Sequence, residues 1–169
     1  YYHITNIAIH LINAFLIWWF VVLIFSTSFF SKSNLAEKKQ ILGFFVALLF
    51  ISHPLATQSV TYIIQRQNLM ATMFFLLSLN TYLKARLIAK NNLKYVLFIV
   101  AFISAMLAFL SKENAFTLPF IIILSELFFF QSKKINYRKK IKRLIILSLT
   151  GLITIIALIL IFPSSIFDT

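Results

Sequence analysis

Residues 4–25, ITNIAIHLINAFLIWWFVVLIF, decide the fold that we expect for this chain. The stretch has no Asp, Glu, Lys or Arg, and it is as long as the ~20-residue helix that crosses a ~30 Å hydrocarbon layer. Only helices and closed barrels pair every backbone polar group in lipid, and this run is too long and too uniformly apolar for a barrel strand. It therefore predicts a transmembrane helix.

The rest of the chain has the same character. Of its 169 residues, 61% are hydrophobic and 12% are charged, and the mean hydropathy is +0.94. Soluble domains average about 25% charged residues. We therefore expect residues 1–169 to form a single all-α transmembrane domain, a polytopic helical bundle of about six spans. The five further spans predicted from apolar runs are residues 35–52, 60–83, 94–110, 115–131 and 144–162.

Positive charges alternate along the sequence. Fourteen of the sixteen Lys and Arg residues lie in three clusters, which follow the first, third and fifth predicted spans. Cytoplasmic loops are enriched in Lys and Arg, so both chain ends and the loops at 53–59 and 111–115 are predicted to face away from the cytoplasm. Topology and anionic head groups explain the net charge of +12, and no nucleic acid is expected as a partner. This predicts a protein integral to the cytoplasmic membrane, with its active side extracytoplasmic.

A polar stripe runs along the first span. His3, Asn6, His10 and Asn13 recur at steps of three or four residues, which places them on one helical face. Polar side chains are costly against lipid, so the stripe should face other helices or a water-filled cavity. Interhelical hydrogen bonding is the favoured interpretation for Asn13. For His3 and His10, a binding role and a packing role are both open.

Two outward loops carry further polar residues. His53 ends the second span, and Gln58 leads from there to Arg66, which is either an interfacial side chain or a phosphate ligand. The segment at residues 111–114 forms either a neutralised turn or a loop that dips towards the membrane beside protein or water. The candidate substrate-binding residues on the outward side are His3, Asn6, His10, His53, Gln58, Arg66, Lys112, Glu113 and Asn114.

Three stretches in this order resemble a known family. They are Tyr2-His3-Ile4-Thr5-Asn6 with His10 and Asn13; His53-Pro54-Leu55 with Gln58, Val60, Tyr62 and Arg66; and Ser111-Lys112-Glu113-Asn114 with Leu118-Pro119. Together they resemble the membrane core of GT-C glycosyltransferases, specifically the bacterial and eukaryotic tetratricopeptide-repeat proteins related to protein O-mannosyltransferases. The resemblance covers nearly all of this chain but only part of such a protein.

The resemblance implies transfer of a sugar from a polyprenyl-phosphate carrier to a protein or glycan acceptor on the extracytoplasmic face. Arg66 and Lys112 would hold the donor phosphate and stabilise the charge of the leaving group. Glu113 would orient Lys112 or contact a sugar or acceptor. The acidic residue that acts as general base is expected before Tyr1, and tetratricopeptide repeats are expected after Thr169. No catalytic residue, cofactor or metal ion is assigned within these residues.

Two other functions remain open. A transporter or flippase of a lipid-linked sugar predicts ionisable residues at mid-depth and related halves of the sequence, and neither feature is clear here. A non-catalytic membrane anchor or assembly subunit would use the polar residues only to hold helices together.

Overall fold

The computed structural model describes residues 2–31, 33–54, 62, 65–89 and 92–130. These residues are helical with no strand among them, so the all-α prediction is confirmed for this part of the chain. The helices are α1 (Tyr2–Phe25), α2 (Asn34–Glu37), α3 (Lys39–Ser52), α4 (Arg66–Leu87), α5 (Asn92–Ser111), a 3-10 helix (Glu113–Thr117) and α6 (Leu118–Phe129).

Two of the helices in the described residues are long and apolar enough to cross a membrane. They are His3–Phe25, which is nearly all of α1, and Asn92–Ser111, which is α5, and they agree with the predicted spans 4–25 and 94–110. Only 28% and 17% of their most apolar windows are buried within the chain. The core helix of a soluble domain would be mostly buried, whereas these two helices turn most of their apolar surface outward.

The second and third predicted spans differ from the helices observed. The predicted span 35–52 is divided at Lys38, which leaves α3 with 14 residues and a length of ~21 Å. The predicted span 60–83 is displaced, because α4 starts at Arg66 and continues to Leu87. Lys84 and Arg86 lie in its last turn, where positive charge favours the C-terminal end of a helix dipole.

The fifth predicted span is also shorter than expected. Residues 113–117 form the 3-10 helix, and α6 has 12 residues. Pro119 is tolerated at its second position, since the first residues of a helix have no intrahelical acceptor for their N–H groups. The sixth predicted span, 144–162, lies outside the described residues. A bundle of six spans is therefore not confirmed by these helices.

The chain divides into two compact units, residues 1–118 and 119–169. Nearly all of α6 belongs to the second unit, and the other helices belong to the first. In the first unit α1 packs against α3 and α4, and α4 packs against α5. The first unit is therefore a series of neighbouring helices in the spatial order α3, α1, α4, α5.

The contacts between side chains give the helix directions in the first unit. His10 in α1 stacks on Phe50 near the end of α3, whereas Lys39 at the start of α3 donates to Ser26, just after α1. These two helices are therefore antiparallel. Lys112 after α5 reaches the start of α4, so α4 and α5 are antiparallel as well. The start of α1 and the start of α4 lie at the same end of the unit as the end of α5.

Many large apolar side chains lie on the outside of this unit, and its interior combines leucines such as Leu79 and Leu83 with small and polar side chains. Phe15 is 59% exposed, Leu49 is 69% exposed and Phe102 is 57% exposed. The buried side chains of α1, α4 and α5 include Asn6, Asn13, Ser78, Asn80, Thr81, Ala101, Ser104 and Ala108. Exposed apolar area is unfavourable in water, whereas small and polar helix interfaces are typical of proteins surrounded by lipid.

Gly43 allows α3 to approach α1 closely. A Cβ at this position would lie 2.9 Å from Cδ1 of Trp18 and 3.0 Å from the Trp18 carbonyl oxygen. Ala47, one turn later, is also buried. The two positions form the small-residue face through which α3 contacts α1.

We predict that Gly43→Ala lowers the stability of the protein. An added methyl group must displace a ring and a backbone atom, and overpacking of this kind costs about 1–3 kcal/mol, more than the ~1 kcal/mol gained in helix propensity. The measurement is thermal unfolding of the full-length protein in detergent. Val46→Ile is the matched control, since it adds one methyl group on the exposed face of the same helix. Equal unfolding temperatures for both variants would contradict the close contact.

Candidate functional site

One end of the first unit brings together polar side chains from three helices. We call Asn6, Gln65, Arg66, Asn68 and Lys112 the polar cluster. Asn6 lies in the second turn of α1, Arg66 and Asn68 lie in the first turn of α4, Gln65 precedes α4, and Lys112 follows α5. The cluster forms because α1 and α4 begin at the end of the unit where α5 finishes.

Arg66 connects α4 to α1. Its Nε donates to Oδ1 of Asn6 at 3.5 Å, which is at the long limit of a hydrogen bond. Asn6 is only 1% exposed, whereas Arg66 is half-buried. The guanidinium group therefore contacts a buried amide through its Nε. A guanidinium group presents several N–H donors in a planar fork.

Lys112 connects α5 to α4. Its Nζ donates to Oδ1 of Asn68, and Nδ2 of Asn68 donates to Oε1 of Gln65. The backbone of Lys112 is held on both sides. Its N–H donates to the Ala108 carbonyl at 3.1 Å, and its carbonyl accepts from the Ala115 N–H at 3.1 Å. The ammonium group thus reaches the first turn of α4 from a fixed point between two helices.

Two buried asparagines bind α1 to α4 farther along the helices. Nδ2 of Asn13 donates to the Leu69 carbonyl at 3.1 Å, and Nδ2 of Asn80 donates to the Leu16 carbonyl at 2.8 Å. Each helix therefore supplies one donor and one acceptor. This confirms the packing interpretation of Asn13.

The polar stripe of α1 faces its neighbours at three of its four positions. Asn6, His10 and Asn13 are buried, and His3 is exposed at the end of the helix, so the expectation that the stripe faces other helices is confirmed at three positions and stays a prediction for His3. His10 stacks on Phe50 with ring centroids 4.8 Å apart, and neither ring nitrogen has a hydrogen-bond partner in the part of the chain that is described.

The remaining predicted residues lie apart from the cluster's hydrogen bonds. His53 is exposed in the extended residue that ends α3, and Glu113 and Asn114 are exposed in the 3-10 helix. Of the two roles expected for Glu113, the structure gives orientation of the Lys112 ammonium to Asn68, and contact with a sugar or acceptor stays a prediction. Gln58 lies outside the described residues.

Sequence reasoning missed Asn68 and Asn80. Asn68 and Asn80 flank the apolar middle of α4, and amides at those two positions are the signal that could have selected them. Asn68 lies two residues after Arg66, but its partner Lys112 is distant in the sequence. The contact between them is therefore visible only in the structure. Among the described residues, no three His, Asp or Glu side chains come together as a metal site.

The chain matches no protein-family model, no curated protein and no solved structure. A guanidinium and an ammonium group meet amide side chains at the N-terminal end of a 22-residue helix, where the helix dipole is positive. Arg and Lys donors beside a helix N-terminus are suited to an anion such as a phosphate group.

Proposed function

We propose that this chain belongs to the membrane core of a GT-C glycosyltransferase, which moves a sugar from a polyprenyl-phosphate carrier to a protein or glycan acceptor outside the cytoplasm. The observation that carries the proposal is the contact network at the polar cluster. It includes Asn6, Arg66 and Lys112, one residue from each of the three stretches that resemble this family.

The chemical role that we assign to the cluster is binding of the donor phosphate. When the bond between the sugar and the phosphate breaks, negative charge builds up on the departing polyprenyl phosphate. Arg66 and Lys112 stabilise that charge, and fixed donors are most effective where little water competes with them. The proton of the acceptor hydroxyl goes to a separate acidic residue that acts as general base. The residues of this chain thus supply donor binding and leaving-group stabilisation.

The proposal includes a membrane setting with the cluster on the extracytoplasmic side. The two helices of membrane-span dimensions and the outward-facing Phe, Ile and Leu side chains support a lipid surrounding. The loops at the opposite helix ends are rich in Lys and Arg, which supports a cytoplasmic position for those ends. The six-span bundle is part of this proposal.

The anchor hypothesis accounts for a different set of residues. Asn13 and Asn80 each bind a backbone carbonyl of the neighbouring helix, which is what a packing role requires. Their contacts hold α1 against α4 and need no ligand. We therefore assign function to the polar cluster only and treat the deeper amides as structural.

We predict that Arg66→Ala and Lys112→Ala each reduce sugar transfer by the full-length protein by about 10²-fold, the usual loss for removing one charge-stabilising donor. The assay follows radiolabelled mannose from polyprenyl-phosphate mannose into acceptor protein. Arg86→Ala and Lys84→Ala are matched controls, because they remove the same charges from the opposite end of α4, and both should retain activity. Full activity in both cluster variants would remove the assignment.

We also predict that the two ends of the helices are labelled from opposite sides of the membrane. This chain contains no cysteine, so single sites can be introduced into a cysteine-free full-length protein. Thr117→Cys, near the cluster, should react with a membrane-impermeant maleimide on intact cells. Asn34→Cys, at the exposed start of α2, should react only after permeabilisation. The reverse pattern would place the cluster on the cytoplasmic side and contradict the proposed orientation.

A further inference from the structure

We propose that Asn68 is a positioning residue, which aims the ammonium group of Lys112 at the anionic ligand without cancelling its charge. The inference rests on the proposed function, since it identifies what holds one of the two cations at the donor phosphate. Asn68 is not among the residues that carry the family resemblance. Its hydrogen bonds with Lys112 and Gln65 support this role.

The backbone from which the Lys112 side chain extends is held in place by hydrogen bonds. Lys112 has an extended backbone, with φ −165° and ψ 142°, between the end of α5 and the start of the 3-10 helix. Its N–H is bound to Ala108 and its carbonyl to Ala115, each at 3.1 Å. Movement of the ammonium is therefore limited to rotation within the side chain.

Lys112 donates to an amide although a carboxylate is adjacent to it in the sequence. Glu113 is adjacent in sequence and exposed, and a carboxylate is a stronger acceptor for an ammonium group than an amide is. Lys112 nonetheless donates to Oδ1 of Asn68 on the neighbouring helix. An amide oxygen orients the ammonium but carries no net charge, so the positive charge stays available. An ammonium group has three N–H donors, and one bond to Asn68 leaves two for a ligand.

Asn68 is itself held in place by hydrogen bonds of its side chain and its backbone. Its Nδ2 donates to Oε1 of Gln65, which directs the amide oxygen towards Lys112. Its own carbonyl accepts from Oγ1 of Thr72 at 2.8 Å. The next residue, Leu69, is buried and bound by Asn13. Asn68 is therefore held by its own helix and, through Leu69, by α1.

The test compares Asn68→Leu, which removes the acceptor at similar size, with Asn68→Asp, which keeps an oxygen at the same place. Two readouts are taken on the full-length protein: KM and kcat for polyprenyl-phosphate mannose, and the Kd of decyl phosphate, with uncharged decyl maltoside as the ligand control. Asn68→Leu should raise KM and Kd by about tenfold, the scale of one hydrogen bond to a charged group, with a smaller change in kcat. Asn68→Asp should also raise the Kd of decyl phosphate, because its carboxylate still accepts from the ammonium group but offsets the positive charge that binds the phosphate.

A double-mutant cycle separates positioning from packing. In the Lys112→Gln background, Asn68→Leu should add little to the loss of decyl phosphate affinity, because the group that it positions is already gone. Combined with the control Arg86→Ala, it should keep its full effect. If Asn68→Leu does not fold, Asn68→Ala provides the same cycle with a smaller side chain.

Each remaining outcome has a distinct meaning. If Lys112→Gln weakens decyl phosphate binding but neither Asn68→Leu nor Asn68→Ala does, the positioning role is overturned and the proposed function stands. Additive losses in the cycle mean that Asn68 acts through packing, which also overturns the positioning role. If Lys112→Gln changes neither KM nor Kd, Lys112 is not a phosphate ligand, and both proposals fail at this residue.

Discussion

Pairing of polar side chains on α4 is the constraint on which the first unit depends. In an apolar surrounding a polar group without a partner is costly, and the buried Ser78, Asn80 and Thr81 of α4 each donate a hydrogen bond to a neighbouring helix or within α4, although Oδ1 of Asn80 has no partner among the described residues. Asn80 binds the Leu16 carbonyl of α1, and Ser78 binds the Ala101 carbonyl of α5 at 2.8 Å. These contacts fix α4 between α1 and α5 and set their register. Large apolar side chains on the outer faces then need no protein partner if lipid surrounds them.

This register brings the polar cluster together. With α4 held against both neighbours, the start of α1, the start of α4 and the end of α5 meet at one end of the unit. Asn6, Arg66, Asn68 and Lys112 are then within reach of one another, although they lie far apart in sequence. The deeper hydrogen bonds fix the helices, and the cluster at the helix ends contains the two cations that we assign to ligand binding. The amides that hold the helices together and the cations that we assign to ligand binding thus lie at different positions along the helix axis.

The sequence predicts the helices better than their contacts. Uniform apolar runs correctly indicate α1 and α5, because length and hydropathy alone decide such helices. The break at Lys38 and the late start of α4 at Arg66 have no capping side chain to mark them, and an average of hydropathy over a window does not detect them. Periodicity correctly places Asn6, His10 and Asn13 on a buried face, and His3, on the same face, is exposed at the end of the helix. The pairing of Lys112 with Asn68 instead of Glu113 depends on the approach of two helices, and no pattern within either segment contains that information.

We propose that Arg66 and Lys112 hold the phosphate of a lipid-linked sugar. The most direct measurement is a cryo-electron microscopy structure of the full-length protein with polyprenyl-phosphate mannose bound. The account predicts phosphate density within ~3 Å of Nζ of Lys112 and of the Arg66 guanidinium, with Lys112 still bound to Asn68. A phosphate bound elsewhere, with these two side chains contacting only protein, would contradict it.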